Sequence, residues 1–150
     1  MLIKNILVAT DGSGVATRAV QYATELSKKL GASITVLGVV DQSYLIIPGV
    51  TPAMTSARFI MEAKDILKQA TMDNVEAAAG KIRKLGVKVT TAVRTGRPAE
   101  EIVKEAHKRK ADLIVLGSHG RSAVRAAVLG SVAYGVMHKN SSIPVLVIRK

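Results

Sequence analysis

Four residues near the C-terminus have types and spacing that could hold a phosphate. Gly117, Gly120, Gly130 and Ser131 follow the pattern G-x2-G-x9-G-S. Glycine lets a backbone approach a ligand closely and take up positive φ. A helix opening near Ser131 would present unpaired N–H groups and the positive end of its dipole, which together favour an anion. The Ser131 hydroxyl could donate to a phosphate oxygen. The same residue would also serve as a plain helix N-cap, a position that serine fills well.

Such a cradle needs a strand before it and a helix after it, and the chain supplies both. Apolar runs at 3–9, 33–40, 87–93, 112–116 and 145–149 read as buried strands. Helical spacing covers 14–30, 56–85, 98–109 and about 130–138. In the first helix Val15, Ala19, Tyr22, Ala23, Leu26 and Leu30 fall on one side, and Gly31 ends it. The second carries Ile60, Ala63, Leu67, Ala70, Val75, Ala78, Ile82 and Leu85, and would run ~45 Å if Gly80 does not break it. Pro98 suits the first turn of the third. The order βαβαβαβαβ predicts an α/β domain: an open parallel sheet with helices on both faces and right-handed crossovers. The stretch 41–55, with Pro48, Gly49 and Pro52, is too long for an idle connection. It reads as a lid or partner contact, or as a variable loop.

Ligands of open parallel sheets bind beyond the C-terminal strand ends. Strand 1 ends in Thr10-Asp11-Gly12-Ser13-Gly14, strand 2 in Val39-Val40-Asp41, and strand 4 in Gly117-Ser118-His119-Gly120-Arg121. Asp11 could face a ligand or cap the helix that begins near Gly14. His119, Arg121 and Arg125 could be ligand neighbours or solvent-facing residues. His107 and His138 are remote from His119, so no metal-ligand spacing appears. Ser-His-Asp ordering, paired acids, HExxH and GxxxxGK[ST] are all absent. The residues support binding better than turnover.

Composition bounds the partner. The chain has 150 residues, one domain by length, with 48% apolar and 22% charged residues and a mean hydropathy of +0.25. Cysteine is absent, which excludes a disulfide framework, a thiolate nucleophile and a thiolate zinc site. No run reaches the ~18 apolar residues of a membrane span. The start MLIKNILVATDG reads as a strand rather than a signal peptide, and with the lack of cysteine this favours the cytoplasm. The net charge of +11 raises nucleic acid as a partner. Residues 1–40 carry +2, residues 41–76 carry −2, and residues 77–150 carry +11. Much of the excess, such as Lys104, Lys108, Arg109 and Lys110, reads as a solvated helix face. Only Tyr22, Tyr44, Phe59 and Tyr134 are aromatic, so base stacking has little to work with. A dinucleotide enzyme is a further alternative, since Gly12-Ser13-Gly14-Val15-Ala16-Thr17 approximates GxGxxG. Thr17 stands where its third glycine belongs.

The segment GSHGRSAVRAAVLGSVAYGVMHKNSSIPVLVIRK resembles the C-terminal signature of the universal stress protein family, and ILVATDGS is similar to that family's first strand. The resemblance covers the whole chain and includes every position of the ATP-binding branch's glycine motif. It implies strand order 3-2-1-4-5 with nucleotide between strands 1 and 4. It implies that Gly117, Gly120, Gly130 and Ser131 hold phosphates and ribose, that Asp11 faces the ribose or Mg²⁺ with Thr10 beside it at the nucleotide, and that Val39 meets adenine through its backbone. Ser118, His119, Arg121 and Val132 become neighbours of the ligand. The resemblance further implies ATP with Mg²⁺ as cofactors, and at most slow hydrolysis or autophosphorylation. It also implies a homodimer through residues 143–149, where strand 5 is a sheet edge.

Overall fold

A computed structural model describes residues 2–120, 129–140 and 142–150. Five strands are described: β1 (Asn5–Ala9), β2 (Ser33–Val40), β3 (Val89–Thr95), β4 (Leu113–Gly117) and β5 (Val145–Ile148). They form one parallel sheet in the order β3-β2-β1-β4-β5. The helices are α1 (Gly14–Leu30), α2 (Ala57–Lys84), α3 (Pro98–Lys108) and α4 (Ser131–Lys139). Residues 41–55 hold two short 3-10 turns, Gln42–Leu45 and Pro52–Met54.

Alternation along the strands sorts the core into two layers. Ile6 and Val8 of β1 join Ala19, Ala23, Val75 and Ile82 of α1 and α2 on one face. Leu7 joins Ile102 and Ala106 of α3 and Val136 of α4 on the other. The expected two-sided sheet and its strand order are therefore present. Glycines end α1 and the turn after α2 as the sequence indicates, with Gly31 at φ +68° and Gly86 at φ +77°.

Some details differ from expectation. β3 runs two residues later than 87–93, because β2 is long enough to pair with it as far as Val40 against Thr95. Tyr22 is 50% exposed, and Leu30 is exposed as well. α1 instead seats the face carrying Val15, Ala16, Ala19, Val20, Ala23, Thr24 and Ser27, where small residues let it lie close to the sheet. α2 is unbroken at Gly80, but only Val75, Ala79 and Ile82 are buried, all in its second half. Gly38 explains how that half sits down: a Cβ there would lie 2.6 Å from both Thr71 Cγ2 and Val75 Cγ2. Arg109 is not simply solvated, since its Nε donates to buried Glu105 at 2.9 Å.

Candidate functional site

Three strand ends converge on one large cavity. β1 leads into Thr10 and Asp11. Thr10 is buried, and its Oγ1 accepts the Gly12 N–H at 3.2 Å. Asp11 Oδ1 accepts the Ser13 N–H at 2.9 Å, which closes an Asx turn. Ser13, not Asp11, caps α1, accepting from Ala16 N at 3.2 Å. Asn74 on α2 donates to the Asp11 carbonyl at 3.3 Å and braces the turn. Gly12 needs to be glycine here, with φ +80° and Asn74 2.7 Å from any Cβ.

β4 leads into Gly117, Ser118, His119 and Gly120. The start of α4 lies against the end of β4, since Gly130 N–H donates to the Ser118 carbonyl at 2.6 Å. Gly130 is the N-cap of α4 and Ser131 its first residue, so Ser131 is exposed and does not cap the helix. Ser118 is buried, and its Oγ lies 3.0 Å from His119 Nδ1.

None of the three motif glycines has positive φ, contrary to expectation. Each is required by a close approach instead. A Cβ at Gly120 would lie 2.8 Å from Asp11 Oδ2, and one at Gly130 would lie 3.0 Å from the Ser118 carbonyl oxygen. A Cβ at Gly117 would lie 2.8 Å from Val15 Cγ1 and 3.3 Å from Ala16 N. Gly117 thus provides from the strand side the close helix–strand approach that a glycine at position 17 would give a dinucleotide fold. Thr17 instead donates its hydroxyl to the Ser13 carbonyl.

The cavity measures about 880 Å³. Its lining includes Thr10, Asp11, Val39, Gly117, Ser118, His119, Gly120, Gly130, Ser131 and Val132. Arg121 and Arg125 lie outside the described residues. Sequence reasoning missed other walls. Leu67, Thr71 and Asn74 come from α2, Tyr44 from the first 3-10 turn, and Arg97, Glu100 and Lys139 from the far rim. There Lys139 Nζ and Arg97 Nη1 lie 3.4 and 3.7 Å from Glu100 Oε1. Of these walls Tyr44 falls in the 41–55 stretch that the sequence marks out, and Asp41, at the end of β2, also lines the cavity; its Oδ1 accepts the Ser43 N–H at 3.0 Å. Of the predicted site residues that are described, only Thr10 also lines a smaller cavity of about 380 Å³ between α1 and α2.

This arrangement suits a polyanion with an apolar end. Glycine backbone and the opening turn of α4 face the cavity from one side. Val39, Leu37, Val132 and Leu116 offer an apolar compartment. Asp11 and Asp41 add carboxylates. Among the described residues no group of three or more His, Cys, Asp or Glu side chains could hold a metal by itself, and none of their helices is long and apolar enough to cross a membrane.

Known proteins share both the sequence and this fold. Universal stress protein MJ0531 of Methanocaldococcus jannaschii is 38% identical over 149 residues, covering 99% of this chain and 84% of that protein. The solved structure of MJ0577, from the same organism, matches with a TM-score of 0.84 and 29% identity, covering 100% of this chain and 98% of that one. A universal stress protein from Archaeoglobus fulgidus, solved in complex with dAMP, matches at a TM-score of 0.62 and 27% identity over 99% of each chain. The model of the universal stress protein family itself spans residues 2–149, so with relatives and fold in agreement the chain belongs to that family.

Proposed function

We propose that the chain is a regulatory stress-response protein that binds an adenine nucleotide, ATP with Mg²⁺, in the large cavity. The observation that carries this reading is the convergence of the glycine motif, Asp11 and Val39 on that one cavity. The dAMP complex of the A. fulgidus relative supports an adenine nucleotide as the ligand class.

Each part of the ligand has a matching wall. The base fits the apolar compartment beside Val39 and Val132. The phosphates fit the backbone around Gly117, Gly120 and Gly130, with the Ser131 hydroxyl as a further donor. Asp11 suits the ribose or the cation. Mg²⁺ is commonly held by one or two carboxylates plus substrate phosphates, so one acidic residue is a sufficient protein share. Bound Mg²⁺ would neutralise phosphate charge, and Asp11 would fix its place. The edge strand β5 makes residues 143–149 the surface for homodimer pairing.

Calorimetric titration of nucleotide-free protein with ATP and Mg²⁺ tests this. Saturable one-site binding is expected, together with its loss in Gly120→Val, whose side chain would push on Asp11. Absence of binding to the parent protein, or equal binding in a folded Gly120→Val, would refute it.

A further inference from the structure

The first half of α2 carries large apolar residues outward. Phe59 is 55% and Ile66 is 70% exposed. Ala63 is half-buried and Ala70 exposed. Positions 59, 63, 66 and 70 recur at helical spacing, so they share one stripe. The buried residues Val75, Ala79 and Ile82 seat only the second half of the helix, so the stripe lies beyond the part held on the sheet.

Its order along the helix is large, small, large, small. Turned end for end, the order becomes small, large, small, large. Two copies laid antiparallel are therefore complementary. Phe59 falls against the second copy's Ala70, and Ala63 falls against the second copy's Ile66. Met54, 72% exposed in the 3-10 turn just ahead of the helix, is a further exposed apolar residue on this segment.

Charge favours the same occupant. A chain of +11 repels its own copy over most of its surface. Residues 41–76 are net −2, so two copies meeting here do not stack their basic excess. We propose that residues 59–70 of α2 form a two-fold antiparallel contact with a second copy of this chain. Ala70 also lines the large cavity beside Leu67 and Thr71. The second copy's Phe59 then rests at the cavity rim, so assembly adds a wall to that cavity. This contact is separate from pairing at β5.

Light scattering over a wide concentration range tests it, in the parent chain and in Val147→Pro, which removes edge pairing. In Val147→Pro the expected mass at high concentration is twice the 15.8 kDa of one chain. Ile66→Glu in that background should return it to 15.8 kDa with an unchanged circular dichroism spectrum. The chain has no cysteine, so Ala63→Cys with Ile66→Cys in the parent gives an independent readout. Oxidation should yield a disulfide-linked dimer even if Val147→Pro fails to fold. A single-chain mass in folded Val147→Pro with no cross-link overturns the proposal. So does a mass that Ile66→Glu leaves unchanged, or a foreign protein bound at this face in place of a second copy.

Discussion

Glu105 is 2% exposed, yet it lies between two guanidinium groups. Arg94 Nε and Nη2 donate to its two oxygens at 2.8 and 3.0 Å, and Arg109 Nε donates at 2.9 Å. Burial alone would raise its pKa, but the hydrogen bonds and charges of Arg109 and Arg94 outweigh it and hold the carboxyl below the usual glutamate range. A depressed folded-state pKa stabilises the fold above the ordinary value near ~4.3. That contribution fades as pH falls through the lower folded value. Glu105→Gln should therefore cost about 2–3 kcal/mol at neutral pH, the scale of hydrogen bonds to a charged group. The gap in Tm between the two proteins should narrow below pH ~4; a gap independent of pH would count against the ion pair. At the candidate site, Asp11→Asn keeps an acceptor for Ser13 N–H but removes the charge. It should weaken Mg²⁺-dependent ATP binding about tenfold while leaving Tm nearly unchanged. The glycine spacing and Asp11 were legible because their spacing in sequence is itself the signal. Asn74 and Glu105 were not, because their partners Asp11 and Arg94 become neighbours only when the chain folds.

Elements were legible where one periodicity decided them. The central strands β1, β2 and β4 are largely apolar, and the helices open at a small residue or proline, so element order followed directly. Boundaries and faces depended on partners. β3 ends where β2 stops offering hydrogen bonds, a limit written in another segment. The seated face of α1 favours alanine over tyrosine, since small residues permit close packing that hydrophobicity alone does not reveal. Gly38 makes the same point for α2. A glycine within a strand marks a close approach, and here the approaching atoms are methyl groups of Thr71 and Val75. Gly38→Ala should cost about 1–3 kcal/mol by overpacking. At ~2–4 °C per kcal/mol for a chain of this size, Tm should fall by several degrees. An unchanged urea midpoint would mean that α2 is not held against β2 at that point.

Charge and open edges belong to the whole molecule. The sheet has two edges, and they differ in chemistry. β3 presents Thr90, Arg94 and Thr95, and Thr90 shares a hydroxyl hydrogen bond with Thr35 at 3.1 Å, so that edge is polar. β5 presents Val145, Leu146 and Val147, all half-buried, with Pro144, Arg149 and Lys150 only at its ends. An apolar edge with unpaired backbone groups is the one that invites another strand. Its hydrogen-bond phase is set by β4, because the carbonyls of Pro144 and Ile148 accept from Ile114 N and Ser118 N. Val145 and Val147, at alternate positions, therefore direct their backbone groups away from β4. Proline at 147 removes an outward donor without costing a ladder bond to β4. Val147→Pro should keep the far-ultraviolet spectrum and lose the assembly step that depends on β5, seen as a lower mass in light scattering. Retention of the parent mass by a folded Val147→Pro would place homodimer pairing elsewhere. The ionic strength of that measurement matters, since copies carrying +11 repel more strongly at low salt. Added salt should therefore raise the mass of the parent chain and leave that of Val147→Pro less affected.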